Sequence, residues 1–164
     1  MRNIREIQAP NKISDFNSNL TVFLAGGISN CRNWQDEVIK ELYKLDNKYD
    51  LPRISIFNPR QDADMKDIDP VEQIKWEHRY LELADIFSVF FCDSESLQPR
   101  TLYELGKYGR EKTSIITVEK GYKREEDILV QSYLDGLWVS HLDKKNAVKE
   151  HARQIMHMAK LLRR

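Results

Sequence analysis

Asp85-Ile86-Phe87-Ser88-Val89-Phe90-Phe91-Cys92 is an apolar run interrupted inside only by Ser88. It is of strand length, rich in β-branched and aromatic residues, and does not alternate, so it reads as a central strand covered on both faces. A polar loop, Asp93-Ser94-Glu95-Ser96-Leu97-Gln98, follows and leads into a helix from about 99 to 110. Working outward, Leu20-Thr21-Val22-Phe23-Leu24-Ala25 repeats the buried-strand pattern and ends at Gly26-Gly27. Arg53-Ile54-Ser55-Ile56-Phe57 is a second strand, stopped by Asn58-Pro59-Arg60. Thr113-Ser114-Ile115-Ile116-Thr117-Val118 is a fourth and Leu137-Trp138-Val139 a short fifth.

Helices fill the gaps. Trp34, Val38, Leu42 and Leu45 recur at helical spacing, with Ser29 or Asn30 as a cap. The acidic stretch 62–69 reads as a loop. Asp69-Pro70-Val71-Glu72 then reads as a helix start, with Val71, Ile74, His78 and Leu81 on one face. Further helices are expected over 125–133 and 144–162. Residues 1–19, mixed and polar, read as an arm that packs on the surface or is partly loose, and 20–164 as a single domain. Alternation of strand and helix implies a parallel sheet with helices on both faces, because parallel connections need right-handed crossovers. Five strands in this rhythm predict a doubly wound α/β sheet of order 2-1-3-4-5. Ligands then bind outside the carboxyl ends of the strands, where the loops at 26–30, 58–60 and 93–101 converge.

Composition narrows the function classes. The 164 residues carry 26 Lys+Arg against 26 Asp+Glu, a formal net charge of zero. A partner made of nucleic-acid polymer calls for a basic excess, which is absent. No run nears the roughly 18 apolar residues of a membrane span, and the first residues lack a signal-peptide core. Cys31 and Cys92 are far apart, with no metal-ligand spacing. The expectation is a cytoplasmic protein with neither metal nor cofactor. There is no G-x-G-x-x-G and no P-loop. Gly26-Gly27 stands where a receiver domain needs clustered Asp residues and where a flavodoxin needs a Ser/Thr-rich phosphate loop.

Glu104, in Thr101-Leu102-Tyr103-Glu104-Leu105-Gly106, is the leading candidate for chemistry. Thr101-x-x-Glu104 matches a capping box, in which Glu merely ties back to the backbone. Alternatively, the helix N-terminus keeps the carboxylate ionised and aims it into the ligand crevice, as a nucleophile for an anomeric carbon. Glu77 sits at the edge of an apolar helix face, where burial suits a general acid, or else it pairs with Lys75 or Arg79. Gly26 and Gly27 allow close approach of a ligand or simply make a turn. Arg60 reaches an anion or a ribose hydroxyl, or pairs with Asp62 and Asp64. Trp76 stacks on a base or packs in the core. Asp93, Ser94 and Gln98 are loop residues suited to sugar hydroxyls, and Asn58 ends a strand at the same edge.

Taken together, Val22-Phe23-Leu24-Ala25-Gly26-Gly27-Ile28, Trp34-Gln35, Asn58-Pro59-Arg60, Trp76-Glu77, Ala84-Asp85-Ile86 and Thr101-Leu102-Tyr103-Glu104-Leu105-Gly106 resemble the nucleoside 2-deoxyribosyltransferase family, over roughly 20–135. The resemblance is to its compact Gly-Gly, Asn-Pro-Arg and Trp-Glu branch. It implies a flavodoxin-like sheet, a glycosyl-enzyme on Glu104, help to the leaving base from Glu77, and a small nucleoside or nucleotide substrate. It also implies a homodimer or higher homo-oligomer. The chain departs from the family at Phe23, where many members carry a Tyr that orients the nucleophile. It departs again at Gln98, where some carry an Asp that holds the sugar, and in its basic C-terminal helix, where some use a carboxylate. The alternative is a module of the same fold that binds a nucleotide without turning it over.

Overall fold

The computed structural model describes residues 3–13, 19–62 and 68–163. The strands are β1 (Ile4–Gln8), β2 (Leu20–Gly26), β3 (Ile54–Asn58), β4 (Ile86–Phe91), β5 (Thr113–Glu119) and β6 (Val139–Leu142). The helices are α1 (Trp34–Lys48), α2 (Pro70–Leu83), α3 (Pro99–Tyr108), α4 (Glu125–Leu134) and α5 (Lys144–Leu161). All strand pairs are parallel. The sheet has six strands in the order β1-β3-β2-β4-β5-β6, not five in the order 2-1-3-4-5.

The added strand is β1, which lies within the expected arm. It pairs with β3 from Ile4↔Ile54 to Gln8↔Asn58. Ile4 and Ile7 are buried while Arg5 and Glu6 are exposed. An edge strand has to bury only part of its length and tolerates charge, so it does not show the apolar run of a central strand. β4, in contrast, is buried at every residue.

Two apolar layers cover the sheet. On one face Trp34, Val38 and Leu42 of α1 and Ala152 and Ile155 of α5 pack on Val22, Leu24, Ile56 and Phe90. On the other, Trp76, Tyr80 and Leu81 of α2, Tyr108 of α3 and Ile128 of α4 pack on Phe23, Phe57, Phe87 and Val89. His151 of α5 is fully buried in the first layer between two hydroxyls, with Ser88 Oγ at 2.6 Å and Thr117 Oγ1 at 2.8 Å.

Local readings differ in instructive ways. The α1 cap is Asn33, whose side chain accepts from the Asp36 amide at 3.1 Å; Ser29 and Asn30 lie earlier, in the loop. Asp69 caps α2 by accepting from the Val71 amide at 2.9 Å. The buried face of α2 is Trp76, Glu77, Tyr80 and Leu81, whereas Val71, Ile74 and His78 are exposed. The cause is the chain after β1. Trp76 Nε1 donates to the Asn11 carbonyl at 2.8 Å, and the Ile13 amide donates to Tyr80 Oη at 2.9 Å. Both contacts are made by the inward, aromatic side of α2.

Candidate active site

β2 lies between β3 and β4, so the chain leaves β2 toward one side of the sheet and later returns to the other. This switch point opens a crevice at the carboxyl ends of the strands. A cleft of about 650 Å³ occupies it. Gly26, Gly27, Ile28 and Ser29 line it after β2, and Pro59, Gln61 and Asp62 after β3. Gln73 and Glu77 come from α2, and Ser96, Gln98, Arg100, Thr101 and Glu104 from the loop and helix after β4.

The glycines are fixed by crowding. A Cβ on Gly26 would lie 2.5 Å from the Phe90 carbonyl and against the Trp34 ring. One on Gly27 would meet Cys31 Sγ and the Gln98 amide group. Gln98 opens α3 in a left-handed conformation, φ 51° and ψ 53°. Its Oε1 accepts from the Gly27 amide at 3.0 Å, and its Nε2 donates to the Cys92 carbonyl at 2.8 Å. Both ends of the side-chain amide are thus engaged in joining the loops after β2 and β4.

Because α3 begins at Pro99, Thr101 already lies inside the first turn, with Gln98 as the cap residue. Thr101 and Glu104 therefore make no capping box. Glu104 sits further along the helix, 7% exposed, and no described group hydrogen-bonds its carboxyl. Burial pushes the Glu104 carboxyl up to about 8; the Glu77 charge adds to the rise and Arg100 opposes it. Burial therefore works against the expected ionised carboxylate.

Glu77 faces the same cleft from α2 and is 5% exposed. Its Oε2 accepts from Arg100 Nη1 at 2.6 Å and its Oε1 from Gln73 Nε2 at 2.7 Å. Neither Lys75 nor Arg79 is its partner: Lys75 pairs with Glu72 at 2.8 Å. Gln73 Nε2 also donates to the Pro59 carbonyl at 2.9 Å, so the loop after β3, α2 and α3 are joined through Glu77. Gln73 and Arg100 were not singled out in the sequence. Each stands four residues before a cleft carboxyl, Gln73 before Glu77 and Arg100 before Glu104, and that one-turn spacing was the available signal.

Gly26, Gly27, Gln98, Glu77 and Glu104 are brought together at the cleft, and Asn58, Arg60, Trp76, Asp93 and Ser94 are not part of its lining. Asn58 Nδ2 donates to Glu6 on β1 at 2.7 Å, and its Oδ1 accepts from the Arg60 amide at 3.0 Å. Arg60 turns behind the loop after β2, where its guanidinium donates to Gln35 Oε1 at 2.9 Å and the Arg32 carbonyl at 2.9 Å. Asp64, named as a partner for Arg60, lies outside the described residues. Trp76 is 6% exposed and packs against Tyr80 with ring centroids 4.4 Å apart. The Asp93 amide donates to the buried Glu119 at 2.8 Å, and Ser94 Oγ lies 3.2 Å from Cys31 Sγ. Among the described residues, no group of three His, Cys, Asp or Glu side chains is arranged to hold a metal, and no helix is long and apolar enough to cross a membrane.

Sheet and site together define an α/β protein with a two-carboxyl cleft at its topological switch point. The profile of a family described as nucleoside 2-deoxyribosyltransferase like matches residues 19–122. The chain belongs to that family. A comparison with curated proteins finds no match. The matched span holds β2 to β5 and α1 to α3, and so every lining residue of the cleft.

Proposed function

We propose that the protein cleaves or transfers at the N-glycosidic bond of a nucleoside through a glycosyl-enzyme on Glu104, with Glu77 assisting the leaving base. Family membership supports glycosyl transfer on nucleosides. The observation that carries the residue assignment is the asymmetry of the two carboxyls. Glu77 is held by Arg100 and Gln73, whereas Glu104 is buried at the cleft without a hydrogen-bond partner among the described residues.

The proton balance closes within this pair. Burial favours the protonated form of Glu104 at neutral pH. As substrate binds, that proton passes to Glu77 and on to a ring nitrogen of the base. The Glu104 carboxylate then attacks the anomeric carbon and the C–N bond breaks, its electron pair leaving with the protonated base. A second base gives up its N–H proton to the pair and takes the sugar from Glu104, or water does so, which is the retaining logic of two-carboxylate glycosidases.

The lining favours an uncharged nucleoside over a nucleotide. Among the described residues that line the cleft, the one cation, Arg100, stands against the carboxylates of Asp62 and Glu77 and gives Glu77 one of its hydrogen bonds. The amide of Gly27 donates to Gln98 and is not free for a phosphate. Self-association belongs to the same reading: Tyr133, Leu134 and Trp138, at 80%, 71% and 83% exposure, offer an apolar surface for a second copy. Light scattering measures it directly.

The test is incubation with deoxynucleosides, ribonucleosides and their 5′-monophosphates, with and without an acceptor base, followed by chromatography. Free or exchanged base is expected from a nucleoside and is lost in Glu104→Ala. Absence of base release from every substrate defeats the proposal. Nucleotide binding that survives Glu104→Gln, without free base, identifies a binding module instead.

A further inference from the structure

Arg100 and Glu104 stand four residues apart on α3, so both side chains leave the same face of the helix. Arg100 lies at the cleft mouth with its side chain 53% exposed, and Glu104 lies one turn deeper at 7%. Glu77 reaches the cleft from α2 and takes one guanidinium hydrogen bond from Arg100 at 2.6 Å. No described residue accepts from the rest of the guanidinium. Among the described residues, the charged groups that share this lining with Glu104 are Glu77 on α2, Arg100 on α3 and Asp62 in the loop after β3. Gln61, Gln73, Gln98, Ser29, Ser96 and Thr101 are neutral polar residues of the same lining. A buried carboxyl beside a second carboxylate gives up its proton reluctantly, and a cation on its own helix face opposes that reluctance.

We propose that Arg100 is a positioning residue of the carboxyl pair: by clamping Glu77 and standing one turn before Glu104, it holds the two carboxyls as one unit that shares a proton. The direction in which Arg100 acts on Glu104, downward against burial and Glu77, agrees with this arrangement. Turnover needs the proton to leave Glu104, so the role rests on the two-carboxyl reading above. Its readout does not. Two interacting carboxyls titrate as a pair, and a cation that neutralises one of them moves both steps.

The experiment is a carbon-13 titration of glutamate carboxyls in the intact protein, with the pair assigned from Glu77→Gln and Glu104→Gln. In Arg100→Gln the pair's upper step is expected to rise by about one pH unit, and in Arg100→Lys to return most of the way. Combining Arg100→Gln with Glu77→Gln is expected to bring the Glu104 step back down, because the repelling charge has gone as well. An upper step in Arg100→Gln that stays put, or falls, overturns the proposal, provided the variant melts like the parent. If base release is found, the alkaline limb of its pH profile in Arg100→Gln is expected to move up by about one pH unit, because the singly protonated pair that supplies the base's proton persists to higher pH. A loss equal at every pH assigns Arg100 to fold integrity and overturns the proposal. A shifted titration in a protein that releases no base upholds Arg100 and removes the glycosidic reading; base release with an unshifted titration does the reverse.

Discussion

The side-chain oxygen of Gln98 accepts a hydrogen bond from the amide of Gly27 at 3.0 Å, across 71 residues of chain. One side chain thereby sets the distance between the glycine loop and the helix that carries Glu104. Gln98→Ala leaves the buried Gly27 N–H and the Cys92 carbonyl without their partner, at a cost of about 1–3 kcal/mol. For a chain of this size each kcal/mol lowers the melting temperature by about 2–4 °C. Calorimetry should find that loss, with weaker ligand binding alongside it; an unchanged melting temperature and affinity would show that the tether is dispensable.

Glu104→Gln is expected to abolish base release while raising stability at high pH. The folded Glu104 carboxyl titrates near 8, above the usual unfolded value of about 4.3. The folded state therefore binds more protons than the unfolded state between those values, and stability falls as pH rises through that window, by up to about 1.4 kcal/mol per unit. Gln carries no such dependence. Denaturant melts at pH 5 and pH 8 should show the variant gaining on the parent at pH 8; a constant difference contradicts the burial argument.

Phe23 lines the cleft at the strand position where the resemblance implies a Tyr. Phe23→Tyr adds a hydroxyl donor to a cleft in which no described residue donates to the Glu104 carboxyl. A donor to the ionised form favours it, so the Glu104 titration should move down and base release at pH 6–7 should increase. If the titration does not move, the new hydroxyl does not reach Glu104.

His151 is held neutral by burial, its ring pushed down to about 3. The unfolded ring binds a proton below about 6.5 and the folded ring does not, so stability is lost as pH falls from there toward 3. Imidazole shifts should show His151 untitrated at pH 5. Protonation of His151 near pH 6 in the folded protein would rule this out.

The central strand was legible because Ile86 to Phe91 is buried on both faces and says so residue by residue. β1 was not, because Arg5 and Glu6 interrupt an edge strand whose buried apolar residues are Ile4 and Ile7. Glu104 and Glu77 emerged from the family pattern, and the topology put them at one cleft. What single residues cannot express is pairing. Arg60, Asn58 and Trp76 each carry groups fit for a ligand, and each is consumed by a partner distant in sequence: Gln35, Glu6 and the Asn11 carbonyl. The protonation of Glu104 was hidden for the same reason, since it depends on burial and on a carboxylate contributed by another helix.

The indole of Trp76 and the phenol of Tyr80 grip the backbone at Asn11 and Ile13, and Glu77 is the next residue along the same helix. A shortened protein cut at residue 19, where the family match begins, would lose this handhold along with β1. The cut looks harmless in the sequence, yet it would free the aromatic side of α2 and with it the carboxyl that Arg100 holds. Anyone trimming the chain for crystallisation or for a fusion would be editing the reaction chamber from its far wall.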